Sequence, residues 1–219
     1  MSDMIVEAAR QRYSTKKFDA TKKISIDKLK AMKSLLQLCP SSVNSQPWYF
    51  IIAESAQAKD IFAKSAEEQA YNVPKIKDAS HVVAFCSRTA FSEQYIERLA
   101  VQGEIDGRFA DAEQRQGYID TVKHYADLHR EGQRDDLQEW MARQLYLNVG
   151  SFLLGVAALG LDAVPIEGFD SDVFDQQFSL TEKGLKSYAL VAVGYRASDD
   201  FNAALPKSRL PEEEIITVL

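Results

Sequence analysis

Cysteine is scarce in this sequence, because only Cys39 and Cys86 occur among its 219 residues. Two thiols are too few for the disulfide framework of a small secreted protein, and we interpret both as small buried side chains in a reducing compartment. Excess positive charge is also absent: the formal net charge is −6, whereas a nucleic-acid surface needs clustered basic residues. The first residues lack the basic and then apolar pattern of a signal peptide. We therefore predict a cytoplasmic protein that binds no nucleic acid.

Several familiar catalytic motifs are missing as well. No GxGxxG follows a predicted strand and no GxxxxGK[ST] occurs, so the sequence has neither a Rossmann fingerprint nor a P-loop. No GxSxG elbow and no cysteine–histidine cluster with metal-ligand spacing is present. His124 and His129 are five residues apart, whereas a helical metal pair needs a spacing of four. We predict no metal site, and a site that adds Asp127 to these two histidines is the alternative.

The composition is that of a globular chain, with 46% hydrophobic and 26% charged residues. Its length suits a single domain, which we predict to span residues 1–219. Buried strands alternate with helical segments, and this order predicts an α/β or α+β sheet that is covered on both faces. The strands are predicted at 48–53, 81–86 and 188–193, and the helices at 2–11, 25–39, 56–66, 91–105 and 112–128.

One segment, from Leu145 to Leu161, is almost entirely apolar or small, with Gly150, Gly155 and Gly160 at intervals of five residues. A helix that is apolar on every side lies inside a core or between subunits, and this one is too short and too interrupted for a membrane span. We predict a buried central helix, ended by Gly160 in a left-handed turn and followed by a short strand at 163–166. Because one small domain seldom needs such a helix, we also predict a shared dimer core.

Short basic segments lie near both ends of the chain. In an extended conformation Arg12, Ser14 and Lys16 would share one face, and a guanidinium, a hydroxyl and an ammonium together suit a phosphate. Lys207 and Arg209 are likewise two residues apart, between prolines. If the two segments meet in space they form one anion site; the alternative is that the first is a solvated basic stretch.

A polar loop at 40–48, PSSVNSQPW, is rich in neutral donors and acceptors and has no charged residue. Such a loop suits the edge of an uncharged polar ring or a polyol, although an ordinary turn has the same composition. Asn72 and Lys75 are further candidates for a ring edge. Tyr125 is either part of a ligand pocket or a half-buried core aromatic.

Four blocks of the sequence resemble the nitroreductase family: RYSTKKF at 12–18, PSSVNSQPW at 40–48, GLDAVPIEGF at 160–169 and LPKSRLP at 205–211. They occur in the family's order, and the resemblance covers nearly the whole chain. It is closest to the enteric oxygen-insensitive NAD(P)H-dependent branch, from which Tyr13 and Val43 depart by replacing a histidine and a threonine. The resemblance implies an α+β sandwich, with a mixed central sheet between helices on both faces and the long buried central helix at a homodimer interface.

The resemblance also implies tightly bound, non-covalent FMN as cofactor and NAD(P)H as hydride donor. The implied enzyme is a flavoprotein oxidoreductase that reduces nitroaromatics to hydroxylamines, and also quinones, by a ping-pong mechanism. The main activity could instead be that of an NAD(P)H:flavin oxidoreductase or a dihydropteridine reductase. A flavin-binding protein without catalytic activity is a further alternative. The implied partners are a second copy of the chain and small aromatic substrates, with no membrane.

The resemblance assigns roles to individual residues. FMN carries the chemistry, assisted by Lys16 near the pyrimidine edge and by a backbone N–H near Glu167. Arg108 would help to hold the nicotinamide nucleotide, Tyr71 and Tyr125 would line the substrate channel, and Lys16 and Asn72 would face the substrate as well. The implied FMN contacts are Arg12, Tyr13, Ser14, Lys207 and Arg209 at the phosphate and ribityl chain; Lys16, Asn72 and Lys75 at the pyrimidine edge; Pro165, Ile166, Glu167 and Gly168 against one ring face; and Pro40, Ser41, Ser42 and Asn44 from the other subunit.

Overall fold

The computed structural model describes residues 2–130 and 132–219, which form a four-stranded sheet with helices on both faces. This α+β architecture confirms the predicted class. The strands are β1 (Trp48–Ala53), β2 (His81–Arg88), β3 (Asp162–Ile166) and β4 (Leu185–Gly194). The helices are α1 (Ser2–Gln11), α2 (Ile26–Gln37), α3 (Ala56–Lys64), α4 (Val73–Asp78), α5 (Glu93–Ile105), α6 (Ala112–Asp127), α7 (Leu137–Ala158), α8 (Ser171–Gln177) and α9 (Glu212–Ile215).

The strand order is β1-β2-β4-β3, and every neighbouring pair is antiparallel. The expectation of a mixed sheet is therefore wrong for these four strands. Ser14 and Ala163 form an isolated parallel bridge, which lies outside the pairings between these strands. β2 and β4 extend beyond the apolar runs from which they were predicted. Ser87 and Arg88 at the end of β2 pair with Lys186 and Leu185 at the start of β4.

Alternation along the two central strands creates a separate core on each face of the sheet. Val83 and Phe85 of β2 face a cluster with α2 and α7, whereas Val82, Ala84 and Cys86 face a cluster with α3, α4 and α8. Successive side chains of a strand point to opposite faces, so one apolar run supplies both cores. A third cluster joins α5 and α6 to the start of α7.

The central helix α7 is buried on one side only in the single chain. Leu145, Phe152 and Val156 are buried against the sheet, whereas Tyr146 is 40% and Leu147 is 55% exposed. Gly150 is exposed too, and a Cβ there would meet no heavy atom within 4 Å. The prediction of a helix buried on all sides is therefore wrong for one copy of the chain, because an apolar sequence does not distinguish a core from an uncovered surface.

The predicted left-handed end of α7 is confirmed. Gly160 has φ +69°, its N–H donates to the carbonyl of Ala157 at 2.9 Å, and the N–H of Leu161 donates to that of Val156 at 3.0 Å. This pair of bonds is the Schellman motif, which favours glycine because a Cβ at positive φ is strained. The turn directs the chain from α7 into β3.

Two glycine-to-alanine substitutions, one just after α7 and one inside α6, are expected to change stability in opposite directions. Gly160→Ala should lower the free energy of unfolding by about 1–2 kcal/mol, since alanine is strained at positive φ. Gly117→Ala, inside α6 with open space around the new Cβ, should raise it by about 1 kcal/mol. Urea unfolding of both variants beside the parent protein measures the difference. Equal shifts of the same sign would contradict the assignment of a left-handed helix end.

Candidate functional site

The two basic segments meet in space and line one cleft of about 440 Å³. The ammonium of Lys207 donates to the carbonyl oxygen of Arg12, and Ser14 and Arg209 line the same cleft. Burial, and then the charge of Arg209, lowers the pKa of Arg12. Burial, followed by the charges of Arg12 and Arg209, lowers the pKa of Lys207. Mutual repulsion of this kind is relieved by a bound anion, so the chemistry of this cleft fits a phosphate.

The N-terminal basic segment is held by the start of β3 and by the chain that follows β4. Ser14 forms its parallel bridge with Ala163, and the N–H of Thr15 donates to the carbonyl of Ala163 at 3.2 Å. Thr15 is fully buried, while Ser14 and Lys16 remain partly exposed. The predicted alternation is therefore incomplete, because Tyr13 lines the cleft beside Arg12 and Ser14. Lys16 is partly exposed but is not among the residues that line this cleft.

A second group of implied site residues, the Asn72 cluster, consists of Tyr71, Asn72, Lys75 and Gly168. The side-chain amide of Asn72 donates to the carbonyl of Gly168 at 2.8 Å, and the ammonium of Lys75 donates to Asn72 Oδ1 at 2.7 Å. The same ammonium lies 4.8 Å from the centre of the Tyr71 ring. Burial, and then the charge of Lys16, lowers the pKa of Lys75. The ammonium of Lys16, in the basic segment, is therefore close enough to repel that of Lys75.

A Cβ at Gly168 would displace its neighbours, because it would lie 2.9 Å from Asn72 Nδ2 and 3.2 Å from the Tyr71 hydroxyl. It follows β3, whose Pro165 and Ile166 pair with Val191 and Leu190 of β4. Between the strand and Gly168, the carboxylate of Glu167 accepts a hydrogen bond from the Tyr146 hydroxyl at 2.7 Å. The segment Pro165–Gly168 therefore connects the exposed side of α7 with the Asn72 cluster.

The loop of residues 40–46 is strained and is tied to the helices rather than to the basic cleft. Val43, Asn44 and Gln46 have φ of 47°, 53° and 43°, and a left-handed conformation is costly for a β-branched valine. Gln144 of α7 accepts from the N–H of Ser42 at 2.9 Å, and the Tyr95 hydroxyl of α5 donates to the carbonyl of Gln46 at 2.6 Å. Side chains from two helices thus hold the loop in this conformation.

Arg108 and Tyr125 lie apart from the groups above. Arg108 is exposed directly after α5, where its N–H donates to the carbonyl of Gly103 at 2.9 Å. Tyr125 is exposed and its ring centre is 5.5 Å from that of His124. The alternative metal site is not formed by the described residues, in which no three potential ligands come together. His129 instead approaches Asp136 at 2.5 Å and stacks on Trp140.

Sequence reasoning missed several residues that organise the site. Asp200 and Asn202 contact the N-terminal basic segment, Gln144 and Tyr95 hold the polar loop, and Arg196 lies over the Tyr13 ring at 4.7 Å. Their partners are distant in sequence, so no local pattern indicates the contacts. The position of Asp200 just before a basic segment was the one available signal.

The chain thus combines an antiparallel α+β sheet with a basic cleft between its two ends, and the charge of this cleft suits a phosphate-bearing ligand. The model of the nitroreductase family matches residues 9–195, and the chain belongs to that family. It is 52% identical over 214 residues to the oxygen-insensitive NAD(P)H nitroreductase of Salmonella typhimurium, covering 97% of this chain and 98% of that protein. The protein of the same name from Enterobacter cloacae is 50% identical over the same length, again covering 97% of this chain and 98% of that protein.

A more distant relative is the major NAD(P)H-flavin oxidoreductase of Aliivibrio fischeri, which is 33% identical over 100% of both chains. Among solved structures, a putative nitroreductase of Exiguobacterium sibiricum in complex with FMN has a TM-score of 0.81 and 22% identity, covering 98% of this chain and 97% of that chain. The similarity to this structure shows the shared fold. Within the described residues, none of the helices combines the length and apolar character needed to cross a bilayer.

Proposed function

We propose that this protein is an FMN-dependent NAD(P)H nitroreductase of the oxygen-insensitive type, formed by a single domain across residues 1–219. The identity of 52% to a relative with that activity supports the reaction. The observation that carries the cofactor is the meeting of Arg12, Ser14, Lys207 and Arg209 at one cleft. These groups would bind the phosphate and ribityl chain of FMN, and Tyr13 would lie beside them.

The Asn72 cluster fits the polar edge of a flavin ring. Lys16, Asn72 and Lys75 would meet the pyrimidine edge, and Pro165, Ile166, Glu167 and Gly168 would lie against one ring face. Bound FMN would supply hydride transfer between NAD(P)H and the acceptor. The ammonium of Lys16 would stabilise negative charge that develops at the pyrimidine edge. A backbone N–H near Glu167 would donate a hydrogen bond to the ring.

We further propose a cytoplasmic homodimer, since the exposed side of α7 offers Tyr146 and Leu147 and α1 offers Met4 and Ile5. Contiguous apolar surface of this kind is typical of a subunit interface. Each copy would lend Pro40, Ser41, Ser42 and Asn44 to the flavin of the other, which is consistent with the anchoring of this loop away from its own basic cleft. Arg108, Tyr71 and Tyr125 would contact NAD(P)H or line the substrate channel.

Anaerobic titration of the purified yellow protein tests the function directly. We expect NADH or NADPH to bleach the flavin absorbance, and a nitroaromatic added afterwards to restore it without nucleotide present. That order of events is the signature of a ping-pong reaction in which donor and acceptor use one site. A protein whose flavin neither nucleotide bleaches would instead be a flavin carrier without catalytic activity.

A second candidate function is reduction of free flavin, which the relationship to the Aliivibrio fischeri flavin oxidoreductase favours. The comparison that separates the two is turnover of added FMN against turnover of nitrofurazone at the same NADH concentration. Faster turnover of nitrofurazone supports the first proposal. Faster turnover of FMN supports reduction of free flavin as the main activity. That reaction would use the same site and the same hydride donor.

Lys16→Ala is expected to slow reduction of the bound flavin by NADH about 10- to 100-fold, because it removes a cation from the ring edge. Anaerobic stopped-flow absorbance measures this rate. Lys17→Ala is the matched control: it removes the same charge from the adjacent residue, whose ammonium pairs with exposed Asp199. Unchanged reduction rates in the Lys16 variant would exclude the role given to its ammonium.

A further inference from the structure

Asp200 is a buried carboxylate between the two basic segments, with only 4% of its surface exposed. Its Oδ2 atom accepts from the Tyr13 hydroxyl at 2.9 Å and from the N–H of Lys16 at 3.1 Å. These donors flank Ser14. The carboxylate therefore fixes the N-terminal segment on both sides of the hydroxyl that faces the cleft.

The same side chain also sets the course of the C-terminal segment. Asp200 Oδ1 accepts from the N–H of Asn202 at 3.2 Å and caps the 3-10 turn of Phe201–Ala204. The side chain of Asn202 then donates to the carbonyl of Ser14 at 2.8 Å. The turn leads directly to Lys207 and Arg209, so one carboxylate connects both halves of the basic cleft.

Charge alone gives no reason for a carboxylate at this position. A negative group beside an anion site repels the anion, and burying it away from water has a cost that only good hydrogen bonds offset. Its surroundings supply those bonds, since the Tyr13 hydroxyl and the N–H groups of Lys16 and Asn202 all donate to the Asp200 carboxylate. Burial, and then the bond to Asp200, raises the pKa of Tyr13 to about 12, so its hydroxyl remains a donor at neutral pH.

We propose that Asp200 is a positioning residue for phosphate recognition: it aligns the N-terminal and C-terminal basic segments so that both contact the phosphate of one flavin nucleotide. The proposal rests on the proposed FMN function and adds a residue that does not itself touch the phosphate. Its action is through the conformations of residues 12–16 and 202–209.

Asp200→Asn separates alignment from electrostatics, because the two roles have opposite signs. Both carboxylate oxygens of Asp200 accept hydrogen bonds, whereas asparagine has only one accepting oxygen. In either orientation of the amide, its NH2 group therefore replaces an acceptor and faces an N–H or O–H donor. Alignment predicts that FMN affinity falls about 10- to 100-fold, the size expected for hydrogen bonds to a charged group. A purely electrostatic role predicts tighter FMN binding, because a negative charge beside the phosphate is removed.

The measurement is the dissociation constant of the apoprotein for FMN and for riboflavin, from quenching of flavin fluorescence at constant salt. Riboflavin lacks the phosphate, so the dissociation constant for riboflavin divided by that for FMN reports phosphate recognition. We expect Asp200→Asn to reduce this ratio at least tenfold. A general loss of structure would weaken both ligands equally and leave the ratio unchanged, which would overturn the proposal.

Asp199→Asn is the matched control, since it removes the same charge one residue away. The carboxylate of Asp199 pairs with exposed Lys17. We expect the ratio of riboflavin to FMN dissociation constants in this variant to stay within about twofold of the parent value, because charges this exposed contribute little. A fall in the ratio equal to that of Asp200→Asn would contradict the alignment role of Asp200. Tyr13→Phe deletes one donor to Asp200 and should lower the ratio about two- to tenfold, which tests the proposal even where Asp200→Asn fails to fold.

The outcomes also distinguish the positioning role of Asp200 from the proposed nitroreductase function on which it rests. A parent protein that binds FMN, with Asp200→Asn and Tyr13→Phe retaining the full ratio, overturns the positioning role and leaves the nitroreductase proposal intact. A parent protein that binds neither flavin overturns the proposed function and the inference with it.

Discussion

Replacing Lys207 and Arg209 together by alanine is expected to weaken FMN binding roughly a thousandfold. Each residue would supply a charge-assisted hydrogen bond to the phosphate, and such bonds contribute about 1.5–3 kcal/mol. Their loss leaves Arg12 in the cleft, with Arg10 and Arg196 as the other guanidinium groups that line it. Titration of apoprotein with FMN measures the change, and riboflavin affinity should stay within about threefold because that ligand has no phosphate.

A second double variant, Lys22→Ala with Lys30→Ala, is the control for that experiment. It removes the same total charge from two exposed lysines that pair with Asp19 and Asp27. Its FMN affinity should be close to that of the parent protein at physiological salt, where distant exposed charges are screened. Equal losses in both double variants would mean that net charge, rather than the basic cleft, determines FMN binding.

Phe85→Ala is expected to lower the free energy of unfolding by about 3–5 kcal/mol, which corresponds to a fall in Tm of about 6–20 °C. The Phe85 ring is fully buried, with its centre 5.2 Å from that of Phe50 and 5.6 Å from that of Phe152. It joins the central strand β2 to α7. Alanine would leave a cavity where these three rings meet, because the sheet prevents full collapse.

Urea unfolding at fixed protein concentration measures this effect, with Phe201→Ala as the exposed counterpart. Phe201 is 68% exposed, so its loss should change stability by less than about 0.5 kcal/mol. If the two phenylalanine variants unfolded at the same urea concentration, the core between β2 and α7 would not have the packing described above.

The sequence was sufficient to predict those features that depend on local patterns. The strands at 48–53 and 81–86 follow from apolar runs, and the helix predicted to start at residue 25 does have Ser25 as its N-cap, with Ser25 Oγ accepting from the N–H of Lys28. The left-handed Gly160 follows from the same kind of signal. In each case, the residues that determine the structure are neighbours in the chain.

Features that depend on distant residues could be predicted only conditionally. The basic segments were expected to form an anion site if they met, and the contacts of Asp200 and Asn202 with residues 13–16 show that they do. Those hydrogen bonds join residues that are far apart in the sequence and share no repeating pattern. Neither partner could therefore be identified as a site residue from the sequence around it. The uncovered side of α7 could be predicted only as a surface buried in a core or between subunits, because hydrophobicity indicates that a surface is buried but does not identify what buries it.

The loop at 40–46 illustrates a third limit. Its polar composition predicted a turn, but valine at a left-handed φ has no sequence signal, since glycine or asparagine is the usual residue there. The conformation is imposed by Gln144 and Tyr95, which come from helices far along the chain. Local preference and tertiary contacts oppose each other at Val43, as is common at functional sites.

The location of the basic cleft at both ends of the fold has a consequence for biosynthesis. During translation Arg12 and Ser14 leave the ribosome long before Lys207 and Arg209, with all four strands synthesised in between. A nascent chain can therefore bury much of its core while half of its proposed phosphate-binding groups have not yet been synthesised. If these groups bind FMN as proposed, cofactor capture is a late event, and a polypeptide stalled before residue 207 would remain colourless even if its sheet had already formed.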